Sequence, residues 1–402
     1  MLEFCKDFHF AVRRRTWAEI DLDQAERNFF TLRDRIGKTH KICCIVKADA
    51  YGHSAVPMAR LYESLGADYL AVSNIEEALQ LREHHIKTPL LILGYTPVEA
   101  ATLLAEHEIT QCVFSYEYGM HLANAAKEAG VRLKIHIKLD TGMGRIGFLY
   151  RKNGSEELEQ MIEVCQREEL VAEGIFTHFS VADDESEAGN AFTKEQVAQF
   201  EKAVKALSSA GISFEIRHCA NSAAAVSFDS KICNMVRLGL VLYGLSPFST
   251  HAVQGIAPVM TLKTAISHIK ELEIGESVSY GRRFVASQKM KVATVPIGYG
   301  DGYWRSNGLT GGVMRLGEQY VPILGSVCMD QTMLDVTDLS CQVGDEVMVF
   351  GNDANCSADA IATRCGTISY EVICSLNHRV PRCFLKNGVI EEWQDPIYHS
   401  DL

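Results

Sequence analysis

The sequence lacks any apolar stretch approaching the ~20 residues of a membrane-spanning helix, and its opening, MLEFCKDFHFAVRRRTW, holds no run long enough for a secretory signal. A cytoplasmic location with no membrane partner is the expectation. A basic block is also missing: 39 lysines and arginines stand against 51 acidic residues, a formal charge of -12. A chain this acidic is a poor partner for duplex DNA or anionic lipid, so no nucleic-acid role is expected and the charge reads as ordinary solubility. Arg13 to Arg15, with no apolar segment beside them, read as a solvated lead-in to the first strand. The 13 cysteines are odd in number and include no CxxC pair. Several lie in apolar runs such as Ile42-Cys43-Cys44-Ile45, as reduced, buried thiols do. No His/Asp pair has convincing ligand spacing, so no metal is expected. No glycine-rich dinucleotide fingerprint follows an early strand, and low-complexity linkers and repeats beyond a βα unit are absent.

What is present is 402 residues, 47% hydrophobic and 22% charged, a length natural for two well-packed domains. Short β-rich runs alternate with amphipathic helical patterns over the first two thirds. The strands are expected at 42–47, 69–72, 90–93, 112–114, 134–139, 174–177, 214–217 and 235–238, and helices at 55–65, 76–83, 97–106, 119–129 and 193–208. Several strands are apolar on both faces, as in a parallel sheet covered by helices. Eight strands over about 210 residues match the (β/α)₈ barrel. After about Leu245, valine-rich segments between glycine turns predict a predominantly β domain. The expected division is a barrel over 17–245 and a β-rich domain over 246–402, joined by an N-terminal strand within 1–22.

In such a barrel, polar groups just past strand C-termini line the active site. Lys47 closes an apolar run, and a partly buried lysine has a lowered pKa and a nucleophilic neutral amine. Four further strands end in Lys138 to Gly147, Thr177-His178, His218 to Ala224 and Arg237-Leu238-Gly239-Leu240. Lysine, arginine, histidine, serine and glycine thus gather on one face. Ser222 and the backbone near Gly239 and Leu240 are suitable donors for a phosphate monoester. The residues alone imply a phosphate-bearing cofactor near a lysine, a description that barrel phosphosugar aldolases also meet. In the second domain, tyrosines stand beside glycine turns in Ser279-Tyr280-Gly281-Arg282 and Ile297 to Tyr303, and Val327-Cys328-Met329-Asp330-Gln331 and Ile368-Ser369-Tyr370-Glu371 close the set.

Together these segments resemble the alanine racemase family. Val46-Lys47-Ala48-Asp49-Ala50-Tyr51-Gly52-His53 is similar to its cofactor-lysine signature, and the other motifs match in order and approximate spacing from Trp17 to about Arg382. The resemblance implies that Lys47 carries pyridoxal 5′-phosphate as a Schiff base. It implies that Tyr51, Asn221, Ser222, Gly239, Leu240 and Tyr370 bind the cofactor, chiefly around its phosphate. Arg145 would face the phenolic oxygen, and Arg237 the pyridine nitrogen with His178 behind it. Arg145 and the Met329 backbone would hold the substrate. Tyr280, contributed by the partner of a head-to-tail homodimer, would be the second catalytic base opposite Lys47. Lys138 matches a lysine that relatives often carry as a carbamate, and would position Arg145. Tyr299, Tyr370, Ile368, Arg305 and Asp183 would narrow the entrance, with Asp330 in support. Ser326 and Leu238 depart from residues common in relatives, arginine and proline.

The function implied is interconversion of L- and D-alanine, supplying D-alanine for peptidoglycan. Three alternatives stay open at this level: a serine or broad-specificity racemase, a diamino-acid decarboxylase of related architecture, and a non-catalytic pyridoxal-phosphate-binding protein. The last needs neither a β domain nor Tyr280.

Overall fold

The structure is a computed structural model that describes residues 15–150, 155–227 and 232–397. Of the expected lead-in only Arg15 is among them; Arg13 and Arg14, like the rest of 1–14, lie outside the described residues. The chain divides into two compact units, one comprising residues 26–50 and 54–256 and the other residues up to 25, 51–53 and from 257 onward.

The first unit is a closed parallel barrel. Its strands are β2 (Lys41–Ile45), β3 (Tyr69–Val72), β4 (Leu90–Ile92), β5 (Ile109–Val113), β6 (Leu133–Asp140), β8 (Leu170–Phe176), β9 (Ile216–His218) and β10 (Met235–Leu238); β7 (Phe148–Leu149) is a short addition beside β6. Pairing of β10 with β2 and of β5 with β6 joins the ends, so no edge is left in the ring. Helix α1 (Leu22–Ile36) leads into β2; crossover helices α2 (Ala55–Ser64), α3 (Ile75–Glu83), α4 (Ala101–Glu106), α5 (Tyr116–Ala129), α6 (Ser155–Cys165) and α7 (Glu187–Ser209) separate the strands, and α8 (Ser222–Ser227) precedes β10. All four residues of β3 are buried, which explains its lack of alternation. Side-chain caps start several helices where the sequence supplies them: Asn74 accepts from the Glu77 N–H and Ser186 from the Gly189 N–H.

Two differences from the expected strands bear on function. β2 stops at Ile45, so Lys47 lies beyond the strand rather than in it. β8 begins at Leu170, ahead of the expected 174, and its pairing with β6 shifts register so that Glu173 is an extra, bulged residue. A bulge breaks the period-2 pattern from which a strand is read.

In the second unit a seven-stranded sheet has the order β17-β16-β19-β11-β1-β20-β21. The members are β1 (Thr16–Asp21), β11 (Met260–Ala265), β16 (Val313–Leu316), β17 (Gln319–Pro322), β19 (Glu346–Phe350), β20 (Arg382–Lys386) and β21 (Val389–Gln394). The N-terminal strand β1 pairs antiparallel with β11 and parallel with β20. Strands β12 (His268–Leu272), β15 (Met290–Val295) and β18 (Thr332–Asp335) form a second sheet, and a two-stranded ribbon joins β13 (Ser277–Val278) to β14 (Phe284–Val285). Two short helices, α9 (Ala358–Cys365) and α10 (Ser369–Cys374), interrupt the β texture. Among the described residues no helix is long and apolar enough to cross a membrane.

Candidate active site

Lys47 opens a turn of left-handed backbone. Ala48, Asp49 and Ala50 have φ of 52°, 53° and 52°, and Tyr51 follows at 54°. Left-handed conformation costs an L-residue about 1–2 kcal/mol, so three or four in succession persist only when held. Within the barrel unit, Val46 O accepts the Ala50 N–H at 2.9 Å and Asp49 Oδ1 accepts the Ala55 N–H at 2.8 Å. The Glu77 carboxylate takes the N–H groups of Ala48 and Ser73, both at 2.7 Å. The lysine of the motif is therefore delivered from a strained, over-determined turn at the C-terminal end of β2.

Neighbouring strand ends in the same unit supply the remaining chemistry. Past β6, Asp140 Oδ1 accepts the N–H groups of Gly142, Met143 and Gly144 at 2.9, 2.9 and 3.1 Å, shaping the loop that carries the exposed Arg145. Lys138 is buried and donates to Leu139 O at 2.6 Å; burial, joined by the charges of Arg237 and Arg145, lowers its pKa to about 8. At the end of β9, Asn221 caps α8 by accepting the Ala224 N–H, while Ser222 Oγ accepts the Gly239 N–H at 2.9 Å. That last bond ties the loop after β9 to the loop after β10, and Leu240 begins a buried 3₁₀ turn there.

Arg237 is buried and donates to His218 Nδ1 at 3.0 Å, His178 Nδ1 at 3.1 Å and Thr177 O at 2.9 Å. Both imidazoles must present a lone pair to it and are therefore neutral. Burial, then the charges of Arg237, Arg145, Lys138 and Lys47, press the His178 pKa down to about 2. Four cations thus bear on one imidazole at one end of the barrel. The structure brings together Lys47, Lys138, Arg145, His178 and Arg237, with Ser222 and Gly239 bonded to each other; Asp183 is exposed on the loop after β8.

Sequence reasoning gave no role to His218, nor to His136 and Glu173, which continue from it. His218 Nε2 lies 2.9 Å from His136 Nδ1, and His136 Nε2 lies 3.3 Å from Glu173 Oε2. A signal existed in β6, where Lys134, His136, Lys138 and Asp140 alternate with Ile and Leu. In a strand covered by helices, such a polar row has only the barrel interior to point into.

In the β-rich unit, Tyr51 and Tyr370 approach with ring centroids 5.9 Å apart, and burial raises the Tyr51 phenol pKa. The turn carrying Tyr299 is zipped to the Cys328–Met329 segment: Tyr299 N–H donates to Cys328 O at 3.0 Å and Gly300 N–H to Met329 O at 2.8 Å. A Cβ on Gly298 would lie 2.2 Å from Cys328 O, so only glycine permits this approach. Asp330 pairs with Arg379 at 2.7 Å. Ser279, adjacent to Tyr280, donates its hydroxyl to Ser326 O at 2.5 Å. Tyr280 itself is 70% exposed, and Met329, Arg305 and Ile368 are exposed too.

The barrel's donor set fits pyridoxal 5′-phosphate. Four cations and a neutral imidazole suit a polyanionic ring, and the serine hydroxyl beside a backbone glycine suits its phosphate. Family models cover both units: residues 20–247 match the alanine racemase N-terminal domain and residues 259–384 the alanine racemase C-terminal domain. The chain belongs to the alanine racemase family. Membership makes it an isomerase of the fold-type III pyridoxal-phosphate class.

Similarity to individual family members runs the length of the chain. It is 43% identical to alanine racemase 1 of Clostridium acetobutylicum over 94% of this chain and 97% of that one. The solved alanine racemase of Clostridium difficile 630 superposes with a TM-score of 0.89 at 37% identity, covering 96% of this chain and 99% of its own. That of Bacillus anthracis, solved with bound L-Ala-P, gives 0.88 at 34% identity, covering 96% and 98%.

Proposed function

We propose that this enzyme interconverts L- and D-alanine on pyridoxal 5′-phosphate, with Lys47 and Tyr280 as the two acid–base groups, and that the product serves peptidoglycan synthesis in the cytoplasm. The observation that carries the reading is the convergence of Lys47, Lys138, Arg145 and Arg237 on His178, next to the Ser222–Gly239 pair. The alanine racemase of Bacillus anthracis with its bound L-Ala-P supports alanine as the substrate.

Lys47 would hold the cofactor covalently. Ser222, Gly239, Leu240, Asn221, Tyr51 and Tyr370 would surround its phosphate, Arg145 its phenolic oxygen and Arg237 its ring nitrogen. When bound, pyridoxal phosphate supplies a conjugated ring that acidifies the substrate's Cα–H. A guanidinium holds its proton tightly, and Arg237 donates to His218 Nδ1, His178 Nδ1 and the carbonyl oxygens of Thr177 and Cys219, so it offers a fixed charge rather than a transferable proton. Inversion at Cα requires a proton to leave one face and another to arrive on the opposite face. The Lys47 amine would serve the D-isomer face and the Tyr280 phenol the L-isomer face. Exposure of Tyr280 in the isolated chain supports its presentation to the site of a partner in a homodimer. Arg145 and the Met329 N–H would hold the substrate carboxylate, and Lys138, as a carbamate, would position Arg145. Exposed Tyr299, Arg305, Ile368 and Asp183, with Asp330 behind them, would form the narrow entrance.

Racemisation of all four isomers of alanine and serine, assayed side by side, tests the reading. A kcat/KM favouring alanine is expected, with serine lower by ~10²-fold or less, because an apolar pocket cannot strongly reject an isostere that only adds a hydroxyl. A preference for serine would replace it. Borohydride reduction and peptide mapping should place the cofactor on Lys47, and activity with no adduct there would remove the site assignment.

A further inference from the structure

A row of polar side chains continues from Arg237 through the interior of the barrel, away from the strand ends where the cofactor would sit. We propose that His136 and Glu173 are positioning residues for Arg237: acting through His218, they fix the direction of the hydrogen bonds that keep its guanidinium oriented and charged. The inference rests on the racemase reading, which assigns Arg237 to the cofactor.

Direction follows from the two ends. A guanidinium only donates and a carboxylate only accepts. His218 Nδ1 therefore accepts from Arg237 at 3.0 Å, which puts the His218 proton on Nε2. That nitrogen donates to His136 Nδ1 at 2.9 Å, and His136 Nε2–H donates to Glu173 Oε2 at 3.3 Å. Each imidazole has one admissible tautomer, and protonating either would set donor against donor. Burial and Arg237 hold His218 well below the usual histidine range, and burial lowers His136 as well. Glu173 is anchored at the other end by the Tyr69 hydroxyl at 2.5 Å and by Lys134 at 2.8 Å. Although burial opposes its charge, bonds from His136, Lys134 and Tyr69 bring its carboxyl to about 2.

The backbone is built around this row. Glu173 occupies the bulge between β6 and β8, which places a charged residue where regular alternation would not. A Cβ on Gly174 would lie 2.6 Å from the His136 ring, so the glycine makes room for the imidazole. Phe176 stacks on His218 with centroids 4.6 Å apart at 7°, and the Arg237 guanidinium lies 5.4 Å from the same ring. Two neutral imidazoles in series polarise one another and transmit the carboxylate's field to the guanidinium at a distance where direct pairing is impossible.

The test is nitrogen NMR on holoenzyme labelled with ¹⁵N-histidine, with His136→Gln and His218→Gln for assignment. Both imidazoles should be neutral and protonated on Nε2 from about pH 6 to about 9. Glu173→Gln should shift the His218 nitrogens, two links away, and lower kcat for alanine roughly tenfold with KM within about twofold. Gly174→Ala, which leaves Glu173 and Arg237 in place but displaces His136, should move the same nitrogens. An Nδ1-protonated or cationic His218 in the unmodified enzyme overturns the proposal. So do folded Glu173→Gln and Gly174→Ala proteins with unchanged His218 nitrogens and unchanged kcat. Unmodified enzyme that fails to racemise alanine removes instead the reading on which the proposal stands, whatever the tautomers are.

Discussion

Lys47 and Tyr280 differ in what their loss should do. On the proposed assignment Lys47→Ala would remove both the covalent hold on the cofactor and one proton acceptor, so racemisation should vanish along with the borohydride-stable adduct. Tyr280→Phe keeps the cofactor and should cost roughly 10²- to 10⁴-fold in kcat, the usual worth of a positioned acid–base group. Deuterium exchange at Cα in D₂O should then survive better from D-alanine than from L-alanine; equal losses from both isomers would argue against a two-face assignment. Lys138 makes a third prediction. Burial favours its neutral form, so the reactive amine fraction rises as pH increases through about 8. Carbamylation consumes that neutral amine. With ¹³C-bicarbonate, a carbamate signal should therefore grow between about pH 7 and about pH 9 and be missing from Lys138→Met. A signal that falls with rising pH would exclude Lys138 as the site.

The turn after β2 shows what elements contribute. Gly52 follows the left-handed residues with φ of 80°, and a Cβ there would meet Ile373 O at 2.3 Å. Gly52→Ala should cost about 3 kcal/mol from overlap and backbone strain, and lower Tm by roughly 6–12 °C. Ala48→Gly, at φ 52°, should stabilise by up to about 1 kcal/mol, since glycine carries no left-handed penalty. Calorimetry on both variants checks the opposite signs. This turn is also where the sequence was hardest to read. Lys47 was legible as a charge at the end of Ile42 to Val46, but four non-glycine residues in left-handed backbone leave no trace in propensity. Strands β3 and β10 fell where expected, because their buried runs have clear ends. β8 was read short, because the bulge at Glu173 breaks alternation. Ser222 and Gly239 lie just past strand ends and Arg237 at the end of one, and all three were legible there; His136 left only the polar row of β6 as its signal, and Glu173 acquires meaning only when β6 and β8 are put in register.

At the scale of the whole molecule, a shared site makes a quantitative prediction. If Tyr280 serves the partner's Lys47, mixing Lys47→Ala and Tyr280→Phe subunits gives hybrids in which one site carries both defects and the other neither. Random exchange makes half the dimers hybrid, so about a quarter of the unmodified activity should return. No recovery after subunit exchange, verified by native mass spectrometry, would mean that each subunit uses its own Tyr280.

Strand β1 has a consequence for dissecting the chain. It leads directly into α1 of the barrel unit, yet both of its ladder partners, β11 and β20, come from the C-terminal 146 residues counted from Ala257. A protease nick near residue 256 would sever the polypeptide without separating its products, which should migrate as one species until denatured. A gene shortened at the same point would instead translate β1 with two bare edges, a ready template for intermolecular pairing. Cutting after folding and truncating before it should thus yield opposite outcomes from the same pair of termini: an intact particle in one case and an aggregate in the other.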